Sequence, residues 1–203
     1  DGETISLGIG QGYNTFTMLQ LALATATLAN GGHRHQPHLV IATQDAVTRI
    51  RETVPVRAPV DLGYRPEHVE VIRKALVGVT QEGTAARVFA GAAYLSGGKT
   101  GTAQAVTIGQ KEKYNAAKLE EHQRDHSLYM AFAPADHPRI AVAAVVENAG
   151  FGAAHAAPIV RRVFDYWLLG KMPTPEDIAA VQKGQAAAPV SAPRPPASAA
   201  SAA

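Results

Sequence analysis

The chain has 203 residues, a formal net charge of +2 at neutral pH and no cysteine. Its charges are spread along the sequence and form no run of lysines and arginines, so the sequence does not indicate a nucleic-acid-binding protein. The lack of cysteine excludes disulfides and thiol catalysis, and it fits an oxidising compartment. No stretch approaches the roughly 18 consecutive apolar residues typical of a transmembrane helix.

The first part of the sequence predicts one amphipathic helix. Its cap is expected at Asn14 or Thr15, and its end near Asn30, before paired glycines. Apolar residues recur along it at helical spacing: Phe16, Leu19, Leu23 and Ala26. The glycines at positions 8, 10 and 12 lack the spacing of a dinucleotide-binding loop, so we interpret them as a flexible lead-in to the helix.

The next segment predicts a short strand and two helices. The strand is expected over residues 38–43, and a short helix over residues 83–89. Between them, Pro66 suits the first turn of a longer helix. Apolar residues follow Pro66 at helical spacing: Val69, Ile72, Leu76 and Val79.

Three histidines, His33, His35 and His38, form the pattern H-x-H-x-x-H. Imidazoles on a turn, without a carboxylate close by, do not define a tetrahedral zinc shell. We therefore interpret these histidines as part of a solvated turn, and we expect no metal site.

Residues 97–104 carry the most informative pattern of the chain, Gly-Gly-Lys-Thr-Gly-Thr-Ala-Gln, in a β-prone stretch that extends to Ile108. Alternation along a strand places Lys99 and Gly101 on one face and Thr100 and Thr102 on the other. Such a strand can hold a carboxylate by charge and hydroxyl donation while its backbone N–H groups point at a developing oxyanion. The glycine at 101 lets a ligand approach the backbone closely.

Two other motifs overlap this strand. Residues 93–100 nearly match the P-loop G-x-x-x-x-G-K-[ST], but a P-loop opens a helix, whereas the sequence after Lys99 favours a strand. Ser96 and Lys99 also match S-x-x-K. The acylating serine of that motif must lie one helical turn from its lysine, and the paired glycines between the two do not provide that turn. No other serine starts the motif, so we expect no nucleophile in this chain.

The second half predicts an antiparallel hairpin and a helix that covers it. The strands are expected over residues 127–133 and 139–146, and a polar stretch before them, residues 109–125, predicts a long functional loop. A helix is expected over residues 158–169, ended by glycine. Helices followed by three antiparallel strands indicate an α+β fold.

The end of the chain differs in composition from the rest. Residues 173–203 are rich in alanine, proline and serine, and contain too few bulky apolar residues to offset the entropy of ordering. We expect a disordered tail there and a folded domain over residues 1–172. Truncation after about Met172 is accordingly expected to leave the core unaffected. Because the chain opens at Asp1 with no signal peptide, we interpret it as part of a longer protein.

Several collinear stretches together resemble the C-terminal half of the transpeptidase domain of class B penicillin-binding proteins, over about residues 2–172. The tripeptide Lys-Thr-Gly at 99–101 matches one element of that family, beside S-x-x-K and an S-x-N-type element. Residues 114–116 and 124–126 look most like the elongation-type members, called penicillin-binding protein 2. The other matching stretches are 7–13, 17–22, 30–32, 125–134, 140–148, 150–152 and 157–159.

The resemblance implies a penicillin-binding-protein/β-lactamase-like fold and a membrane-anchored enzyme without cofactor at the periplasmic face of the inner membrane. That enzyme cross-links peptidoglycan by serine acyl transfer from D-Ala-D-Ala stem peptides, and β-lactams acylate the same serine. By position, Lys99 would be the catalytic cation that steers the substrate carboxylate and helps relay the proton, and the Thr102 N–H would be one half of the oxyanion hole. Thr100, Gly101 and Thr102 would bind substrate. Stem peptides, β-lactams and proteins of the cell-elongation machinery would be the partners.

Other outcomes stay open from the sequence. A D,D-carboxypeptidase or a β-lactamase-like hydrolase differs in its acceptor, which these residues do not specify, and a penicillin-sensing receptor acylates without turnover. We expect the region upstream of Asp1 to encode S-x-x-K, an S-x-N element and a transmembrane anchor.

Overall fold

A computed structural model describes residues 2–105, 115 and 119–183. The described part has an α+β architecture with six α-helices and seven strands. The helices are α1 (Gly2–Gly8), α2 (Met18–Ala29), α3 (Pro66–Gln81), α4 (Ala86–Phe89), α5 (Ala156–Leu169) and α6 (Pro175–Gln182). The strands are β1 (His33–Arg34), β2 (Ala42–Gln44), β3 (Arg51–Thr53), β4 (Val60–Asp61), β5 (Gly97–Ala103), β6 (His126–Ala133) and β7 (Ile140–Val146).

Helix α2 begins later than the sequence predicted. The Thr17 hydroxyl accepts a hydrogen bond from the Gln20 N–H (3.2 Å), and the Gln20 side chain accepts one from the Thr17 N–H (2.8 Å). This reciprocal pair satisfies N–H groups that the start of a helix leaves open. The cap is therefore Thr17, and the prediction of Asn14 or Thr15 is wrong. The short helix α1, which ends at the first of the glycines interpreted as a flexible lead-in, was not predicted.

The strand predicted over residues 38–43 is wrong in its bounds. The chain between α2 and α3 forms two small antiparallel sheets, one of β1 with β4 and one of β2 with β3. The turn that joins β2 to β3 is held by Asp45, whose carboxylate accepts hydrogen bonds from the N–H groups of Val47 (2.9 Å) and Thr48 (2.7 Å). Strands of two or three residues are too short to leave a period in the sequence.

The central sheet has the antiparallel order β5-β6-β7, which confirms the predicted hairpin and its pairing with the lysine-bearing strand. Lys99 pairs with Met130, and Thr100 with Tyr129. Successive side chains of a strand point to opposite faces, so Lys99 shares one face with Met130. Thr100 and Thr102 lie on the other face with Tyr129, as alternation predicts. Helices α2 and α3 contact the sheet on the Lys99 side, and α5 covers the other face.

The core lies between α5, α4 and the Thr100 face of the sheet, and its buried apolar residues include Phe89, Tyr129, Ala131, Val160 and Phe164. It also contains a buried ion pair between Arg161 and Asp165, in which the guanidinium Nε lies 3.0 Å from both carboxylate oxygens. Arg161 Nη1 also donates to the Val88 C=O (2.9 Å), which ties α5 to α4. The Tyr94 hydroxyl donates to Asp165 (2.9 Å), and burial raises the pKa of Tyr94 well above its usual value, so it stays protonated.

The folded part of the chain continues past residue 172, which corrects the predicted boundary of the tail. Helix α5 ends at Leu169 as predicted, with Gly170 in the left-handed region (φ 65°). It begins two residues before the predicted start, and α6 follows. Asp177 of α6 is 1% exposed and lies 3.2 Å from Arg162 of α5. The signal that the prediction missed is the pattern Thr174-x-x-Asp177, a helix-capping sequence.

Three expectations lie partly or wholly outside the described residues. Most of the predicted functional loop falls there, although a 3-10 turn, Glu121–Gln123, forms near its end. So do the tail beyond Lys183 and the predicted continuation of β5 from 106 to 108. None of the described helices is both long enough and apolar enough to cross a bilayer.

Removing α6 is predicted to destabilise the fold. Truncation of the full-length protein after Met172 leaves the Arg162 guanidinium without its carboxylate, and a hydrogen bond to a charged group contributes about 1.5–3 kcal/mol. Truncation after Lys183 keeps the pair and serves as the matched control. Thermal melts of the two proteins measure the difference, and identical melting temperatures would show that α6 contributes nothing to stability.

Gly98→Ala is predicted to destabilise the fold by about 1–3 kcal/mol through overpacking. A Cβ there would overlap the Tyr129 hydroxyl and lie 2.9 Å from the Ala131 Cβ. Gly8→Ala, where a Cβ meets nothing within 4 Å, is the control. Adding Tyr129→Phe to Gly98→Ala removes the overlapping oxygen and should restore part of the loss in a denaturant titration. An equal loss in the single and double variants would place the strain elsewhere.

Candidate functional site

The candidate site is the side of strand β5 that faces away from β6, where the described residues form no further strand. On that side, three backbone carbonyls accept hydrogen bonds from side chains. Two belong to β5, and one belongs to Ser96, which directly precedes it. Ser96 C=O accepts from the Thr80 hydroxyl (2.6 Å), Thr100 C=O from Lys99 Nζ (2.7 Å) and Thr102 C=O from Gln11 Nε2 (2.6 Å). These residues have even numbers, so the even-numbered backbone groups point away from β6. We call this row the outer edge of β5.

The outer edge presents hydrogen-bond donors as well as acceptors. In an antiparallel ladder the N–H and C=O of one residue point to the same side of the strand. The N–H groups of Thr100 and Thr102 therefore face outward with their carbonyls. Each outward N–H can donate to an oxygen of an extended ligand, and it binds more strongly when that oxygen carries negative charge.

The paired glycines that lead into the site are required by close packing. A Cβ on Gly97 would lie 2.6 Å from the Phe132 ring, and one on Gly98 would overlap the Tyr129 hydroxyl. The two aromatic side chains come from opposite faces of β6 and clamp the start of β5 between α3 and the core. The site therefore rests on a rigid backbone rather than on a loop.

Lys99 reaches the outer edge despite its position on the α3 side of the sheet. Its side chain is exposed, and Nζ donates to the C=O of the next residue, Thr100, at 2.7 Å. Among the ion pairs of the described residues, none involves Lys99. The ammonium is thus an accessible positive charge beside the outward backbone groups, able to hold a carboxylate.

The two threonines are half-buried and lie on the opposite face from Lys99. The Thr100 hydroxyl lies 3.0 Å from the Thr84 hydroxyl, so these side chains share a hydrogen bond. Thr84 comes from the connection between α3 and α4, which the sequence predicted only as the start of a helix. A threonine after the glycine at 83 gives no pattern that would have identified it as part of the site.

Gln11 was also missed by the sequence analysis. It lies between Gly10 (φ 83°) and Gly12 (φ 69°), in the segment interpreted as a flexible lead-in. Its carboxamide donates to Thr102 C=O (2.6 Å) and accepts from the Gln104 N–H (3.4 Å). The sequence Gly-Gln-Gly indicates a turn, because glycine adopts left-handed conformations readily, but it does not show that Gln11 meets β5.

The loop at Gly152 packs closely against β5 and β6. A Cβ on Gly152 would overlap the Leu128 C=O and lie 2.7 Å from the Gly101 C=O. The Ser127 hydroxyl holds this loop by donating to Phe151 C=O (3.0 Å) and accepting from Ala156 N–H (3.1 Å). The backbone of Gly101 therefore lies directly against the loop at Gly152.

The competing motifs do not form the sites that they imitate. Ser96 is 1% exposed and precedes a strand, so it does not share a helical turn with Lys99. The same strand replaces the helix that a P-loop would open. His33, His35 and His38 are all exposed, and the structure brings together no group of three or more metal-ligating side chains among the residues it describes.

Chemically, the arrangement can hold an anionic ligand and polarise a carbonyl group. An exposed ammonium lies beside the outward backbone groups of Thr100 and Thr102, and the Thr100 side chain lies on the other face of the same strand. The Thr100 hydroxyl shares its hydrogen bond with another hydroxyl, that of Thr84, rather than with a base that would activate it as a nucleophile.

Comparison with known proteins identifies the family. Residues 1–165 match the model of the penicillin-binding protein transpeptidase domain. A curated relative, peptidoglycan D,D-transpeptidase MrdA of Haemophilus influenzae, is 41% identical over 177 residues, which cover 86% of this chain and 27% of the relative. The chain thus spans about a quarter of that protein's length.

Solved structures agree with this match. The crystal structure of Pseudomonas aeruginosa PBP2 in complex with WCK 5153 is 40% identical with a TM-score of 0.65, covering 83% of this chain and 33% of that one. The complex between PBP2 and MreC from Helicobacter pylori has the same fold, with 24% identity and a TM-score of 0.61, covering 83% of this chain and 28% of that one. With its fold and its lysine-bearing strand edge, the chain belongs to the penicillin-binding protein transpeptidase family.

Proposed function

We propose that this chain is the C-terminal part of a peptidoglycan D,D-transpeptidase and supplies the substrate-binding strand of its active site. The observation that carries the proposal is the outer edge of β5, where Lys99, Thr100 and Thr102 surround two outward backbone N–H groups. The similarity to MrdA supports the reaction class. The nucleophilic serine would lie outside residues 1–203, in the same full-length protein.

The donor is a stem peptide that ends in D-Ala-D-Ala. Its terminal carboxylate binds the Lys99 ammonium and the hydroxyls of Thr100 and Thr102. Its reacting carbonyl oxygen accepts a hydrogen bond from the Thr102 N–H. This hydrogen bond becomes stronger as negative charge develops on the oxygen, so it stabilises the transition state more than the ground state.

The reaction proceeds in two acyl transfers. The serine oxygen attacks the donor carbonyl carbon, the peptide bond to the last D-Ala breaks, and that residue leaves with a proton on its nitrogen. An amine of a second stem peptide then attacks the ester, forms the cross-linking amide and returns a proton to the serine oxygen. Lys99 stabilises the carboxylate during the first transfer and helps relay the proton, and Gly101 leaves room for the donor beside the strand.

The location and partners follow from the same proposal. Peptidoglycan lies outside the inner membrane, so the full-length protein would act at its periplasmic face and be anchored by a segment outside this chain. The Helicobacter pylori protein of the same fold was solved with MreC, which supports a role in the cell-elongation machinery. Penicillins would bind the donor site because they carry a carboxylate near a reactive carbonyl.

The proposal is tested by acylation of the full-length protein with a fluorescent penicillin, followed by mass spectrometry of the labelled peptide. The label is expected on one serine upstream of Asp1, in an S-x-x-K sequence. A cross-linking assay with an amine acceptor then separates transfer from hydrolysis. Absence of labelling, or labelling of a residue within 1–203, would contradict the proposal.

Lys99→Ala in the full-length protein is predicted to slow acylation by about ten- to a hundredfold. The variant loses a charge-assisted contact to the donor carboxylate, which contributes roughly 1.5–3 kcal/mol. Lys99→Arg should restore only part of the rate, because a planar guanidinium does not match the compact ammonium. Rates are measured with the fluorescent penicillin, and melting temperatures confirm that the variants fold.

Lys74→Ala is the matched control, since Lys74 is an exposed lysine of α3 that lies 3.6 Å from Glu70. Its acylation rate should equal that of the unaltered protein. Acylation of Lys99→Ala at the same rate as Lys74→Ala would remove Lys99 from the site.

A further inference from the structure

The carboxamide of Gln11 occupies part of the outer edge of β5. Its nitrogen donates to Thr102 C=O at 2.6 Å, and its oxygen accepts from Gln104 N–H at 3.4 Å. The two residues of the short bond are 91 positions apart in the sequence, so the contact depends on the tertiary fold. Gln11 therefore covers the carbonyl of Thr102, and the N–H of Thr102 points to the same side of β5.

The Gln11 side chain is aimed by its own loop. Gly10 and Gly12 adopt left-handed conformations on either side, and the Asn14 side chain donates to Gln11 C=O (3.3 Å) and to Leu7 C=O (3.1 Å). The backbone of the loop is thus fixed independently of the carboxamide. The carboxamide can rotate away without disrupting the loop, because it makes only one short bond and Gln11 is half-buried.

A donor bound as proposed above competes for the same carbonyl. In an antiparallel ladder, a residue that accepts from an outward N–H also donates its own N–H to the carbonyl of the same partner residue. A donor whose reacting carbonyl accepts from the Thr102 N–H therefore directs the N–H of that same residue at Thr102 C=O. The Gln11 carboxamide already donates to this oxygen from the same side of the strand, so the two N–H groups would approach it from one direction.

We propose that Gln11 is a specificity-determining residue of the acyl-donor site, and this inference rests on the proposed function. Its carboxamide holds the Thr102 carbonyl until a donor with an N–H beside its reacting carbonyl displaces it. A donor with that N–H exchanges one hydrogen bond for another and gains little. A donor that lacks the N–H does not displace Gln11 and leaves the existing bond intact. Gln11 thus reduces the advantage of amide-bearing donors.

The test compares two acyl donors on the full-length protein. Benzylpenicillin carries an amide N–H beside its β-lactam ring, and its 6-acyloxy analogue has oxygen in that place. The limiting acylation rate and the half-saturating concentration of each are measured by competition with a fluorescent penicillin. The variant is Gln11→Met, which keeps the length of the side chain and removes its donor and acceptor. Gln104→Met is the matched control, since Gln104 meets Gln11 only through its backbone N–H.

In Gln11→Met, the preference for benzylpenicillin over the acyloxy analogue is expected to rise about three- to tenfold. This factor corresponds to the net free energy of one hydrogen bond. The rise should come from a lower half-saturating concentration, with the limiting rate within about twofold of the unaltered protein. Gln104→Met should leave the preference unchanged. Gln11→Glu, which cannot donate to Thr102 C=O, should shift the preference in the same direction.

An unchanged preference in both Gln11 variants would overturn the inference. So would a fall in the limiting rates of both donors with the preference unchanged, since Gln11 would then act by holding the strand rather than by competing with the donor. If the unaltered protein is not acylated by the fluorescent penicillin, the proposed function itself fails, and this result is distinct from both.

Discussion

The unpaired side of β5 is the feature on which the rest of the site depends. An edge strand leaves a row of backbone donors and acceptors without partners, and proteins usually cover or block such rows. Here the carbonyls of Ser96, Thr100 and Thr102 are each covered by a side chain, from Thr80, Lys99 and Gln11. Side chains can be displaced by an extended ligand, whereas a paired strand cannot. The edge is therefore protected in the free chain and remains available for an extended ligand.

Such an edge is useful only if its backbone is held still, and the packing behind β5 provides this. Phe132 and Tyr129 contact the positions where Gly97 and Gly98 lack side chains, and the loop at Gly152 lies against Gly101. Burial raises the pKa of Tyr129 well above its usual value, so its hydroxyl stays neutral beneath the strand. The close contacts fix the direction of the outward N–H groups before a ligand arrives, which is the condition for electrostatic stabilisation without reorganisation.

The sequence predicted the elements whose residues follow a regular spacing or carry a clear end signal. The alternation in β6, the helical stripe of α3 and the glycine at the end of α5 each predicted an element that the structure contains. Strand alternation also predicted that Lys99 lies on the opposite face of β5 from Thr100 and Thr102. By contrast, Gln11 and Thr84 meet β5 through the tertiary fold, and neither stands in a periodic pattern. Helix α6 did not follow from the sequence because it lies in the alanine-, proline- and serine-rich region 173–203 and carries only a short capping pattern.

The central claim is that the outer edge of β5 binds the acyl donor through the backbone of Thr102. A crystal structure of the full-length protein acylated by benzylpenicillin tests it most directly. The acyl carbonyl oxygen should lie about 2.7–3.2 Å from the Thr102 nitrogen, with the carboxylate beside Lys99 and the amide N–H in the place of the Gln11 carboxamide. An acyl group whose carbonyl oxygen points away from β5, with Gln11 still bonded to Thr102, would contradict the claim.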